Sequence, residues 1–144
     1  MYQNTITVFN YHEATKLWYP SIISGVDLIA SKTNNATTKG LNNGDTVDII
    51  IHCTPDKKIK TSKGVKSYLN VNAYAKCSTP ADCMTFRPEK DFIYDEVWPE
   101  ILPINGDDYD SGLYNELNEK HDGIYMISSA AYYGLLPHFE IGGR

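Results

Sequence analysis

Apolar and polar residues alternate with period two along much of this chain, and that alternation is the signature of half-buried strands. Thr5–Asn10 alternates and predicts a first strand. Tyr11–Lys16 is polar and turn-like. Trp18 to Ala30 is rich in β-branched residues but contains Pro20 and Gly25, so it predicts two short strands or one bent strand. Pro20 cannot donate to a ladder and belongs at an edge or bend, and Gly25 marks a bulge or a close backbone approach. Ser31–Gly44, rich in Asn, Thr, Lys and Gly, reads as an exposed, mobile loop or a long hairpin tip. Thr46–His52 is the clearest strand, and Pro55-Asp56 begins a turn.

Ile59–Lys66 is polar and predicts a second arm or loop. Tyr68–Ala75 alternates again, with Tyr68, Asn70, Asn72 and Tyr74 opposite Leu69, Val71 and Ala73. Thr79–Asp82 has the look of a short helical start. Arg87–Lys90 is a turn leading into a strand at Asp91–Tyr94, and Pro99, Pro103 and Gly106 make Trp98–Asp110 a loop. The pattern changes at Tyr109–Lys120, where Leu113 and Leu117 stand four apart and Asp110 or Ser111 can cap a helix. Ile124–Ser129 and His138–Ile141 are the last strands, with Tyr132–Pro137 between them and Gly142-Gly143-Arg144 as a frayed tail. About eight strands and one helix predict a single mainly β domain over residues 1–144, a small barrel or a sandwich with long loops.

Composition supports this. Tyrosine is abundant, at 11 residues, and favours pleated surfaces where its ring packs and its hydroxyl reaches water. The net charge of −5 argues against tight sequence-specific DNA binding, which needs clustered cations. The one basic stretch, Lys57-Lys58-Ile59-Lys60 followed by Lys63 and Lys66, reads as a solvated hairpin. The three cysteines, Cys53, Cys77 and Cys83, are odd in number and lack metal-site spacing; they read as buried or incidental thiols of a reducing compartment. No signal peptide and no bilayer-spanning stretch is expected.

Candidate chemistry is sparse. Asp108, Asp110 and Glu119 fall at positions 1, 3 and 12 of a calcium loop, beside Asn105 and Asp107, but Leu113 stands where the sharp turn demands glycine. His12, His52, His121 and His138 are scattered, with no nucleophile and carboxylate in a recognisable order. No catalytic, cofactor or metal residue is expected. Trp18, Trp98 and the tyrosines can line a sugar-binding face, although core packing is the usual role of such rings in β proteins. Tyr132 and Tyr133 suit a subunit contact.

Trp18 followed by Ile22-Ile23-Ser24-Gly25-Val26, then Phe86–Ile93, then Ile124–Ile127 with His138–Ile141, resembles small phage and prophage proteins of the head–tail joining region. Residues 31–66 carry no resemblance. The resemblance implies a non-enzymatic virion protein similar to head-closure (stopper) proteins, which are small β-barrels that join into rings. It implies as partners other copies of itself, portal or adaptor proteins, tail proteins, and genomic DNA passing without sequence-specific contact. It also implies assembly in the host cytoplasm before entry into the virion. The alternatives are a tail-completion or terminator protein, and a carbohydrate-binding β-sandwich with an exposed row of aromatics.

Overall fold

The computed structural model describes residues 3–31 and 46–144. Its strands are β1 (Asn4–His12), β2 (Leu17–Ser31), β3 (Thr46–His52), β4 (Lys58–Thr61), β5 (Gly64–Tyr68), β6 (Cys83–Met84), β7 (Phe92–Tyr94), β8 (Ile104–Asn105), β9 (Ile124–Tyr133) and β10 (His138–Gly143). Its α-helices are α1 (Val71–Ala75) and α2 (Leu113–Lys120). Six strands close a barrel in the order β1-β7-β9-β10-β3-β2, with β2 returning to β1. The sequence left barrel and sandwich open; closure makes it a barrel. No helix of the described residues is long and apolar enough to cross a membrane.

The bent segment after Trp18 is one strand, and its bend closes the barrel. Residues 17–26 of β2 pair with β1, while Asp27–Ser31 pair with β3. The register slips between the pairs Thr5–Ser24 and Asn4–Val26, which leaves Gly25 as the extra residue, at φ 72°. A bulge there lets one strand serve two neighbours, and glycine accepts the left-handed backbone without a Cβ penalty.

The inward residues are mostly β-branched: Ile6, Val8, Ile23, Val26, Val47, Ile49, Ile51, Ile93, Ile127 and Ile141, with Phe139. The hairpin β4–β5, joined in parallel by β6, adds Ile59 and Met84 to this core. Outside the barrel a second cluster forms. Phe9, Phe92 and Ile124 are buried there with Leu113 and Leu117 of α2. Phe9 stacks on Phe92 at 4.7 Å between ring centroids, and Trp98 meets Phe9 edge-on at 5.5 Å. Each fully buried aliphatic or aromatic side chain here contributes about 1.5–3 kcal/mol.

Several expectations change. Tyr68–Ala75 is not a strand: β5 ends at Tyr68, and the Asn70 side chain accepts from the Ala73 N–H at 2.9 Å to start α1. An N-cap outweighs alternation here because a single turn swings Tyr74 into the interior. The helix begins at Leu113 rather than Tyr109, since Tyr109 is drawn into the outer aromatic cluster. Neither Asp110 nor Ser111 caps it. Gly112 (φ 88°) turns the chain in, and the Ser111 hydroxyl donates to Glu116 at 3.0 Å. Tyr132 and Tyr133 belong to β9. The C-terminus is not frayed, because Gly142 and Gly143 are in β10 and Arg144 exchanges two backbone hydrogen bonds with Met126, at 2.9 and 3.0 Å. The Ser31–Gly44 loop, apart from Ser31 at the end of β2, lies outside the described residues.

Candidate functional site

The residues richest in chemistry converge at one sealed end. Asp91 is fully buried and Arg87 6% exposed. Arg87 Nε and Nη2 donate to the two Asp91 oxygens at 3.0 and 2.9 Å, and Nη1 donates to both oxygens of Glu13 at 3.0 Å. Arg87 also donates to the Tyr11 carbonyl. The Asp91 carboxylate further accepts the backbone N–H groups of Tyr11 and Arg87, each at 3.1 Å. Burial lifts the Asp91 carboxyl above its ordinary range, although Arg87 and these N–H groups pull it down. The pair therefore spends its charge holding the Arg87–Asp91 turn against the end of β1.

Beside it lie Asn10, His12, Tyr74 and Thr85, all buried. Asn10 Nδ2 donates to the Thr85 carbonyl at 2.6 Å. His12 Nδ1 lies 3.1 Å from the Thr15 hydroxyl, and its ring meets Tyr74 edge-on at 5.3 Å. Its Nε2, the Tyr74 hydroxyl, Asn10 Oδ1 and the Thr85 hydroxyl have no hydrogen-bond partner among the described residues. A hydroxyl and an imidazole are thus adjacent, but no carboxylate orients the far ring nitrogen as nucleophilic catalysis requires.

Lys66 corrects the solvated-hairpin expectation. Lys58, Lys60 and Lys63 are exposed, but Lys66 is 6% exposed and its Nζ donates to the Ser21 hydroxyl at 2.6 Å. The period of two along β5 turns it inward while Val65 faces solvent. Burial, with Lys63 adding to it, lowers its pKa to about 8.

The other flagged residues do not assemble into one centre. Leu113 heads α2 and is buried, so the stretch holding Asp108, Asp110 and Glu119 is a turn plus a helix, and Asn105 accepts the Asp107 N–H at 3.0 Å. Among the described residues no three His, Cys, Asp or Glu side chains are grouped to hold a metal ion. His121 lies 3.4 Å from the Tyr94 hydroxyl. His52 and His138 face each other across β3 and β10. Cys77 and Cys83, unremarkable by spacing, approach to 3.4 Å between sulfurs. Burial raises the Cys83 thiol to about 11. Burial also pushes up on Cys77, but hydrogen bonds from Thr79 and Cys83 outweigh it and leave that thiol below its ordinary value.

An open feature lies on the barrel wall. A hollow of about 300 Å³ lies over β2, β3, β10 and β9. Two cross-strand rows form it: Ile29–Asp48–Gly142–Ser129, and Asp27–Ile50–Glu140–Ala131. Apolar and acidic residues alternate across them. Small residues on β9 and β10 sink the floor, and a Cβ on Gly142 would come within 2.5 Å of the Ser129 hydroxyl. Tyr133 bounds the hollow and stacks on His138 at 5.2 Å. Beyond it the β9–β10 turn presents Leu135 and Leu136, 96% and 77% exposed.

The family of unknown function DUF6751 has a model that matches residues 1–144. The chain belongs to that family. No curated protein and no solved structure matches it significantly. The signals for what sequence reasoning missed in this DUF6751 chain are local. Arg87 and Asp91 stand four apart around a proline turn, and Ser128–Ala131 is a small-residue run inside an otherwise tyrosine-rich strand.

Proposed function

We propose that this chain is a non-enzymatic structural protein of a tailed phage or prophage, acting at the head–tail junction as a head-closure or connector-ring component. The observation that carries this is where the resembling residues lie. Ile22–Val26, Phe86–Ile93, Ile124–Ile127 and His138–Ile141 build β2, the Arg87–Asp91 turn, β7, β9 and β10. These are the frame of a closed barrel, the architecture that the resemblance implies. The buried polar residues Arg87 and Asp91 brace that frame, which suits a structural role. The net charge of −5 suits a surface past which DNA slides without sticking. On this reading the protein assembles in the host cytoplasm and ends in the virion.

The carbohydrate-binding alternative needs an exposed row of aromatics that includes Trp98 or Trp18, and the packing of both rings favours the junction reading. Trp18 packs between Tyr11 and Phe92, at 5.2 Å from each ring, and Trp98 packs on Phe9 and Tyr94 with its indole nitrogen buried. Neither is free to form a flat exposed row. Electron microscopy of particles from an induced host lacking the gene tests the proposal. Separate full heads and finished tails, joined again when the protein is supplied, are the expected result. Tails of uncontrolled length would favour the terminator alternative, and normal particles would overturn both.

A further inference from the structure

We infer that copies of this chain associate head to tail, with Leu135 and Leu136 of one copy seated in the wall hollow of the next. The inference rests on the ring-forming part of that proposal and deepens it by naming the two surfaces that meet; its evidence is surface geometry. Leu135 and Leu136 are adjacent leucines at a hairpin tip, almost wholly in water. The hollow, at about 300 Å³, has apolar walls in Ile29, Ile50 and Tyr133 and a floor lowered by Ala131 and Gly142. An apolar cavity of about 150 Å³ already holds a benzene-sized guest, so the space suits branched aliphatic side chains.

The tip cannot fill its own hollow. Ser129, Ala131 and Gly142 lie on the same two strands that carry the turn, and those strands stay paired to the last residues, Tyr133 with His138. Folding the tip back would break that ladder. Knob and hollow are therefore complementary surfaces of one molecule that meet only between molecules. Charge agrees with the fit. Asp27, Asp48 and Glu140 border the hollow, whereas Lys57, with its ammonium 4.6 Å from the Tyr132 ring centre, sits beside the tip. The six barrel strands are closed on themselves, so a neighbour meeting the β2–β3–β10–β9 wall meets side chains rather than an unpaired strand edge. A contact between two different patches repeats from copy to copy and yields a ring or a filament.

Sedimentation of the purified full chain over a wide concentration range tests this. The wild type is expected to form oligomers larger than a dimer. Leu135→Asp removes the knob and Ala131→Trp fills the hollow. Both positions are exposed, so circular dichroism and melting stay as in the wild type. Each substitution alone is expected to weaken association at least about tenfold. Mixed together, the two variants are expected to form a one-to-one pair and nothing larger, because the first keeps an intact hollow and the second an intact tip. A wild type that is monomeric throughout overturns the inference. So do oligomers that survive either substitution, and a mixture that fails to pair. Loss with Leu135→Asp but not with Ala131→Trp would mean tip-to-tip contact, and would overturn it as well. None of these results depends on whether the gene acts in a virion.

Discussion

The sealed end and the open wall of the barrel use the same β framework in opposite ways. At the sealed end, Arg87, Asp91, His12 and Tyr74 are buried, and the charged groups of Arg87 and Asp91 are committed to each other, to Glu13 and to backbone. On the wall, Ile29, Tyr133, Leu135 and Leu136 face water, and small residues leave a hollow between strands. The chemistry holds the frame, and the apolar wall is left available.

The largest effect that can break this contrast is removal of Asp91. Asp91→Ala leaves the buried Arg87 guanidinium with only the half-exposed Glu13 as counter-charge, and losing one partner of a buried pair costs about 3–5 kcal/mol. The urea midpoint is expected to fall accordingly. A change below about 1 kcal/mol would mean that the Arg87–Asp91 turn does not brace the barrel.

Lys66 comes next and carries a pH dependence. Its folded pKa, about 8 against 10.5, means that the folded state binds fewer protons than the unfolded state between those values. Stability from this group therefore rises as pH climbs through about 8 towards 10.5. The penalty relieved is at most about 3 kcal/mol over the full window. Urea unfolding at successive pH values from neutral upward checks it, with Lys66→Met expected to flatten the rise. Equal slopes in both proteins would place the Lys66 ammonium in water.

A smaller effect sharpens the picture of the sealed end. The Tyr74 hydroxyl is buried without a partner among the described residues, so Tyr74→Phe is expected to cost less than about 1 kcal/mol. A loss above about 2 kcal/mol would show that the hydroxyl holds a hydrogen bond after all.

The smallest effect belongs to the wall. His138 donates to Glu140 at 2.9 Å and contacts the Leu136 carbonyl at 2.6 Å, and these two hydrogen bonds raise its pKa above the ordinary 6.5. With a raised folded pKa, the support it gives the leucine tip is complete below about 6.5 and is lost as pH rises through the folded value. An NMR titration of the imidazole is expected to place its midpoint above that of a Glu140→Gln variant. Coincident midpoints would remove the ion pair from the account.

The frame was legible where pattern and burial agree. Thr46–His52 reads as a strand and is one, because its alternating isoleucines fill the barrel. Gly25 reads as a bulge or a close backbone approach, and it is a bulge. Legibility failed where a local hydrogen bond or a distant neighbour decides. Asn70 capping turned an alternating segment into α1, and Met126 holds Arg144 from across the sheet. The hollow was not legible, because it arises from small residues on β9 and β10 brought beside Ile29 and Ile50 of strands distant in sequence. The sealed cluster was half legible: its charges are visible, but their burial depends on closure of the barrel.

The most direct test of the central claim, that the wall and not the sealed polar end is the working surface at a head–tail junction, is rescue of the gene-deleted host. Supplied wild-type chain is expected to restore joined particles, whereas the folded Ala131→Trp chain is expected to leave heads and tails apart under the electron microscope. Full rescue by Ala131→Trp would contradict the account.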